Sequence, residues 1–224
     1  MPPIVTYKAL GANGRLGNQM FQVAASIGIA KLFNAELRLP VWENEKYFKT
    51  PNFKVADLNT ITHHYDEPHF HYTEPSIHEA YEVVSGQPQQ VINLHGYFQS
   101  EKYFKYCEEE IRSAFEFNDI VARKCTGIIK EAQQTNQEKK LCSIHLRFGD
   151  YVGNSYYAQP TENGYYEAAV EQLFNFSDKT LYIVFTDDKE RAAKFMASLK
   201  ISNTYEVDYI FVLGTNEIED MCLM

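Results

Sequence analysis

The first forty residues show a pattern of apolar and polar positions that predicts a strand, a turn and a helix. Residues 4–10 form a short apolar run typical of a buried strand. From Gln19 to Leu32 the apolar side chains recur at helical spacing, and Asn34 is a residue type that ends helices. Residues 35–40 alternate again as a strand. The chain therefore begins with a β-α-β unit, which indicates a layered α/β fold.

The rest of the chain continues with strands and helices in alternation. Residues 41–90 are rich in aromatic residues, prolines and histidines, and there we expect short strands and loops. The polar stretch 133–140 is typical of an exposed connection, so we expect two lobes, over 1–138 and 139–224. Strands are predicted at 91–94, 141–146, 181–185 and 209–213. Helices are predicted to start near 101 and to lie near 119–134, 163–173, 189–199 and from 217.

Charge and cysteine usage narrow the classes of function. The 224 residues contain 21 Lys and Arg against 30 Asp and Glu, a formal net charge of −9. This balance disfavours binding to nucleic acid or to anionic membrane surfaces, which needs broad positive surface. The 4 cysteines lack the spacing of a zinc site and indicate free thiols in a reducing compartment. Because neither a signal peptide nor a membrane-spanning run is visible, we expect a cytoplasmic protein without a transmembrane segment.

Two segments carry candidate groups for binding an anion. The glycine-rich turn at 11–18 precedes the first predicted helix, whose N–H groups suit phosphate, although an ordinary tight turn explains the same pattern. His145 and Arg147 lie on one face at the end of a predicted strand, where α/β sheets bind ligands. There Arg147 suits a diphosphate and Asp150 can orient it, with a purely structural ion pair as the alternative.

Two further groups raise the question of a metal ion. Asp187 and Asp188 suit a divalent cation, but a helix N-cap with an acid in the first turn is the favoured interpretation. Five of the 7 histidines lie between 63 and 78, and His69 and His71 are predicted to share a strand face that suits zinc or nickel. For these histidines a solvated loop is favoured.

Four segments, in this order, resemble those of the glycosyltransferase family 11 α-1,2-fucosyltransferases. They are residues 14–22 (GRLGNQMFQ), 94–104 (LHGYFQSEKYF), 145–151 (HLRFGDY) and 184–188 (VFTDD). The first two are long and specific, and the match extends over essentially the whole chain. The resemblance implies a GT-B-like α/β fold of two Rossmann-like lobes, an acceptor-side lobe and a nucleotide-sugar-binding lobe, with the donor between them.

The resemblance also implies an activity and its substrates. It implies inverting transfer of L-fucose from GDP-L-fucose to a galactose-type hydroxyl of a surface glycan, forming an α-1,2 linkage. No metal and no other cofactor is expected. The activity of such enzymes is often associated with membranes, so peripheral attachment of this protein to a membrane stays open.

Individual residues receive roles from the same resemblance. Arg147 is expected to neutralise the GDP diphosphate, with His145 beside it. Gly17 and Asn18 are expected to approach the donor from the first lobe. Asp220 is expected to accept hydrogen bonds from the guanine base, since adenine offers no matching pair of donors.

Two features depart from the family pattern. Phe148 stands at the position where the family usually has a second arginine. Related protein O-fucosyltransferases also have a single arginine in this segment. The chain ends at Met224, before a phosphate-holding turn and a closing helix, so the second lobe is expected to be incomplete.

Three hypotheses about function follow. The first is a galactoside 2-alpha-L-fucosyltransferase, with Asp150 and Glu162 as candidate general bases. The second is a truncated, non-catalytic relative that binds GDP-sugar weakly or not at all. The third is a metal-dependent enzyme built on the histidines together with Asp187 and Asp188.

Overall fold

The chain forms two compact units in the computed structural model. Unit 1 is Met1–Asp119 and unit 2 is Ile120–Met224. The structure describes residues 1–49, 53–76, 89–154, 156, 159–174, 179–201, 205–212 and 214–224.

Unit 1 is built round a five-stranded sheet. Adjacent strands all pair in parallel, in the spatial order β3-β2-β1-β5-β4. Val5, Ile92 and Leu94, on two of the three inner strands, are almost fully buried, which suits parallel strands that are covered on both faces. The strands are β1 (Ile4–Thr6), β2 (Glu36–Leu39), β3 (Lys54–Val55), β4 (His63–Asp66) and β5 (Val91–His95).

Helix α1 (Leu16–Leu32) packs against β1 and β2. Val23 and Ile29 are fully buried in this packing, and alanines between them let the helix approach the sheet closely. Asn34 adopts a left-handed conformation with φ of 51°, which asparagine tolerates better than most residues. The helix stop predicted at Asn34 is therefore confirmed.

The segment after β5 differs from the single helix that the sequence predicts. Two short 3-10 turns, Glu101–Tyr103 and Lys105–Cys107, precede helix α2 (Glu108–Ala114). Ser100 caps the first turn as expected, by accepting a hydrogen bond from the N–H of Lys102 at 3.4 Å. Phe104, with φ of −143°, then interrupts the helical backbone before α2 begins.

Unit 2 is built round a three-stranded parallel sheet in the order β10-β7-β6. The middle strand is buried from Leu181 to Phe185, and it packs with Leu146, Val170 and Met196 in one apolar core. A short antiparallel pair, β8 with β9, lies outside this sheet. The elements are α3 (Asp119–Thr135), β6 (Lys140–Leu146), α4 (Tyr165–Phe174), β7 (Thr180–Thr186), α5 (Lys189–Ser198), β8 (Lys200–Ile201), β9 (Tyr205–Glu206), β10 (Tyr209–Phe211) and α6 (Glu217–Leu223).

Almost all of α3 belongs to unit 2, whereas the sequence places the lobe boundary at the far end of this helix, after residue 138. Contacts with α6 explain the difference. Lys124 pairs with the Glu219 carboxylate at 2.6 Å, and the Cys125 thiol donates to the Glu219 carbonyl oxygen at 3.7 Å. These partners lie far apart in the chain, so the sequence near α3 does not reveal the contact. It reveals only the polar connection that follows the helix.

Within the part of the chain that the structure describes, none of the helices is long and apolar enough to cross a bilayer.

Candidate functional site

The end of β6 positions the arginine that the sequence singles out. Arg147 follows the strand directly and is half-buried. Its Nε and Nη2 donate to the two carboxylate oxygens of Asp150, at 2.9 and 2.8 Å. Its guanidinium carbon also lies 4.6 Å from the centre of the Tyr151 ring. The carboxylate and the ring together hold the guanidinium in one orientation, as expected of Asp150.

The two acids after β7 bind backbone groups. The Oδ1 of Asp187 accepts the N–H of Phe148 at 2.8 Å. A Cβ at Gly149 would lie 2.6 Å from Asp187 Oδ2, so glycine lets this carboxylate approach the turn. Asp188 accepts the N–H of Arg191 at 3.0 Å, and the interpretation of Asp188 as the N-cap of α5 is confirmed.

His145 lies on the exposed face of β6, near three charged residues. Desolvation by surrounding protein atoms is the main effect, and it lowers the pKa of the imidazole. The Asp187 carboxylate opposes this lowering, Arg147 adds to it, and Asp220 opposes it more weakly. The end of the unit 2 sheet therefore brings His145 close to the arginine and to both carboxylates.

Asp220 is fixed in the first turn of α6. The Asn216 side chain and Glu219 form a capping box at the start of this helix. The Thr215 hydroxyl donates to Asp220 Oδ1 at 2.5 Å, and Asp220 is half-buried. The carboxylate is thus held in place by the loop that follows β10.

The glycine-rich turn of unit 1 is held by side-chain amides. Gly14 has φ of 77°, and a Cβ there would lie 2.2 Å from the side-chain nitrogen of Asn18. The Gln22 amide donates to the carbonyl oxygen of Asn13 at 3.0 Å. The Gln99 amide, from the loop after β5, donates to the Asn18 side-chain oxygen at 2.5 Å. Asn18 is therefore positioned by a second loop.

His69 and His71 do not lie on a strand, so the prediction that they share a strand face is wrong. β4 ends at Asp66, and Pro68, which has no N–H for a sheet, precedes His69 and His71. Their rings stack with centroids 4.9 Å apart. His78 lies outside the described residues. Among those that are described, no three His, Cys, Asp or Glu side chains converge as a metal site.

The family of the chain follows from its sequence as a whole. The model of a family described as Glycosyl transferase family 11 matches residues 6–224. The chain belongs to glycosyl transferase family 11. The family expected from the four segments is thereby confirmed, and the match includes residues of both units.

Known proteins resemble this family 11 glycosyltransferase in sequence and in fold. An Alpha-1,2-colitosyltransferase of Escherichia coli is 26% identical over 245 residues, which cover 94% of this chain and 78% of that protein. The crystal structure of POFUT1 in complex with GDP has a TM-score of 0.59 at 12% identity, covering 99% of this chain and 88% of that one. The structure of the fucosyltransferase NodZ from Bradyrhizobium has a TM-score of 0.46 at 11% identity, covering 100% and 81%. The likeness to POFUT1 confirms the GT-B-like α/β fold class.

Phe148, the departure from the family pattern, lies in the core of the glycosyltransferase. It is 7% exposed and packs in the apolar cluster of unit 2. Its backbone N–H, rather than its side chain, takes part in the turn after β6. Arg147 is accordingly the cation that this segment presents.

Glu67 is a structural residue of this glycosyltransferase that sequence reasoning missed. One carboxylate oxygen accepts the N–H groups of Tyr97 and Phe98, both at 2.8 Å, and the other accepts the Tyr103 hydroxyl at 3.2 Å. Phe98 has a left-handed φ of 52°, so this carboxylate stabilises an unusual turn. No local motif marks Glu67, because its partners lie about thirty residues further along the chain.

The other candidate base, Glu162, lies in the turn before α4. Glu162 is exposed, and its backbone N–H donates to the Gln159 carbonyl oxygen at 2.9 Å. The structure thus brings together His145, Arg147 and Asp150 at the end of β6. The chemical roles of these residues, and of Gly17, Asn18 and Asp220, stay predictions.

Proposed function

We propose that this glycosyltransferase transfers L-fucose from GDP-L-fucose to a galactose-type hydroxyl, forming an α-1,2 linkage with inversion at C1. The observation that carries the proposal is the oriented guanidinium of Arg147 at the carboxyl end of β6. Two similar proteins support it. POFUT1, which has a similar fold, was crystallised in complex with GDP, and the name of the colitosyltransferase states an α-1,2 linkage.

The leaving group explains why a fixed cation is needed. As the bond from C1 to the phosphate oxygen breaks, the diphosphate takes the electron pair and gains negative charge. Asp150 engages Nε and Nη2 of Arg147, and Nη1 makes no hydrogen bond within the described part of the chain. A guanidinium held in this way stabilises the departing diphosphate without having to reorganise during the reaction.

Recognition of the nucleotide is assigned to the first turn of α6 and to the glycine-rich turn. Asp220 accepts hydrogen bonds from guanine N1–H and N2–H, and His145 lies beside the diphosphate. In unit 1, Gly17 and Asn18 approach the donor. A Cβ at Gly17 would meet nothing within 4 Å, so the space beside this residue is open to a ligand.

Arg147→Ala tests the proposal directly. We expect it to lower the kcat of fucose transfer from labelled GDP-L-fucose to lactose about a hundredfold or more, since fixed charges of this kind contribute ~3–4 kcal/mol. Arg147→Lys keeps a charge but loses the bidentate geometry, and an intermediate rate is expected. Arg112→Ala is the matched control, because Arg112 forms an exposed ion pair with Glu108 on α2.

The outcomes separate the hypotheses. Unchanged transfer by Arg147→Ala contradicts the assignment of the leaving-group cation. We expect transfer to persist in EDTA. If EDTA abolishes transfer and added metal restores it, the protein is instead a metal-dependent enzyme. Calorimetric binding of GDP without any transfer supports the non-catalytic relative.

A second donor follows from the Escherichia coli colitosyltransferase. L-colitose is L-fucose without its 3-hydroxyl group, so both donors fit one nucleotide site. A site that hydrogen-bonds this hydroxyl discriminates strongly against the donor that lacks it. The ratio of kcat/KM for GDP-L-fucose and GDP-L-colitose, measured in competition, decides between the two sugars.

A further inference from the structure

We propose that a cleft in unit 1 binds the acceptor sugar, and that His95, oriented by Asp66, is the general base for its hydroxyl. This inference rests on the proposed function, because it names the acceptor site of that reaction. His95, His69 and His71, which line this cleft, thereby receive a role in binding and proton transfer.

The cleft lies where β4 and β5 end. Residues 67–71 and 95–97 line a cavity of about 570 Å³, within the range of small-ligand sites. The side chain of Phe70 is 85% exposed and that of Tyr97 is 38% exposed. Their ring centroids lie 6.3 Å apart at an angle of 34°, so they present two aromatic surfaces to one ligand. Such surfaces pack against the C–H face of a pyranose.

The charge of the cleft favours a neutral sugar over the nucleotide. The lining residues include the Glu67 carboxylate and the imidazoles of His69, His71 and His95, and among the described residues of the cleft there is neither lysine nor arginine. A diphosphate would meet no fixed cation there, which disfavours it electrostatically. Imidazoles and carboxylates do suit the hydroxyl groups of a hexose, because they supply both donors and acceptors.

His95 and Asp66 form a pair at the edge of this cleft. The parallel register places Asp66 opposite His95 on the neighbouring strand. His95 Nδ1 lies 2.9 Å from Asp66 Oδ1, so we assign the Nδ1 proton to this hydrogen bond. The lone pair then stays on Nε2, which is the arrangement that a general base requires. Glu67 is less suited to this role, because it already accepts bonds from the loop and from Tyr103.

The proposed step balances as a simple displacement. The acceptor oxygen forms a bond to C1 of the donor sugar while the bond from C1 to the phosphate oxygen breaks. The electron pair leaves with GDP, and the acceptor proton passes to Nε2 of His95. Asp66 stabilises the imidazolium ion that results, so it acts as a positioning residue.

One loop connects the cleft with the glycine-rich turn. Gly96 and Tyr97 line the cleft, and Gln99 donates to Asn18, which is proposed to approach the donor. The Tyr7 hydroxyl anchors this loop by donating to the Gly96 carbonyl oxygen at 2.5 Å. Within unit 1, a single short segment therefore positions groups assigned to both substrates.

Binding of lactose in the absence of donor tests the cleft. In saturation-transfer NMR, Phe70→Ala and Tyr97→Ala are each expected to weaken lactose binding about tenfold, and Phe70→Tyr to retain it. Ile120→Ala is the control, since it also truncates an exposed apolar side chain, at the start of α3. Equal binding by the wild-type protein and both alanine variants overturns the acceptor site, whether or not GDP-L-fucose is the donor.

Transfer kinetics test the base. His95→Gln and Asp66→Asn are each expected to lower kcat about a hundredfold or more, with little change in lactose binding. The double variant should be no slower than His95→Gln, because the two residues act as one unit. His63→Gln is the matched control, since His63 is on β4 outside the cleft lining and contacts Thr62.

The pH profile separates a base from a structural residue. His95→Gln should lose the acidic limb of kcat. Asp66, Glu67, His69, His71 and Tyr97 are other ionisable groups near His95. The acidic limb must therefore be absent in His95→Gln but present in His71→Gln. If His95→Gln has the kcat of the wild-type protein and retains the acidic limb, His95 is not the base. If the wild-type protein transfers no fucose but binds lactose through Phe70 and Tyr97, the donor assignment fails and the cleft stands.

Discussion

At the residue scale, the pKa of His145 depends on burial and on the charged groups around it. Desolvation lowers its pKa most, Asp187 and Asp220 oppose the change, and Arg147 reinforces it, so that the net shift is downward. The folded protein therefore favours the neutral imidazole. In the proposed complex, a neutral His145 would donate a hydrogen bond to the diphosphate and leave the role of cation to Arg147.

The lowered pKa of His145 makes stability depend on pH in a defined direction. In the unfolded chain the imidazole takes up a proton near pH ~6.5, while the folded state still resists protonation. Stability is therefore lost as the pH falls from the unfolded pKa towards the folded pKa. His145→Gln should lose less stability than the wild-type protein between about pH 7.5 and about pH 5 in urea denaturation. An equal loss in both proteins contradicts the prediction.

At the element scale, two internal helix glycines have opposite surroundings. A Cβ at Gly28 in α1 would lie 2.2 Å from the carbonyl oxygen of Tyr103, a backbone atom of the first 3-10 turn. A Cβ at Gly127 in α3 would meet nothing within 4 Å. Gly28 thus permits the close packing of α1 on the segment after β5, and Gly127 has no such packing role.

Alanine at these two positions should have effects of opposite sign. Gly28→Ala gains helix propensity but collides with rigid backbone, and we expect a loss of about 1–3 kcal/mol in the free energy of unfolding. Gly127→Ala collides with nothing, and a gain of about 0.5–1 kcal/mol is expected. Urea denaturation measures both values. Stabilisation by Gly28→Ala would show that α1 and the turn do not pack as described.

At the scale of the whole molecule, each unit has its own parallel sheet. The acceptor is assigned to unit 1 alone, whereas the donor is assigned to groups in both units. Hydrogen exchange followed by mass spectrometry tests this division. GDP should slow exchange at 145–151 and 215–220 in unit 2 and at 14–18 in unit 1. Lactose should slow exchange at 66–71 and 95–98. Protection by lactose that appears only in unit 2 contradicts the assignment of the acceptor to unit 1.

The sequence by itself determined the features whose partners lie within a few residues. The stop of α1 at Asn34, the capping of α5 by Asp188, and the pairing of Arg147 with Asp150 are of this kind. Residue type and spacing are sufficient here, because a helix turn or a strand end brings neighbours in the chain into contact whatever the rest of the fold does.

Only the tertiary structure decided the contacts between distant segments. Glu67 binds the loop after β5, and Asp66 on β4 contacts His95 on the neighbouring strand β5. Asp187 binds the turn after β6. The physical reason is that each contact depends on the register of parallel strands, whose connections are long and leave no periodic signal. For the same reason α3 joins α6 in unit 2, although the polar stretch beyond it marks a boundary in the sequence.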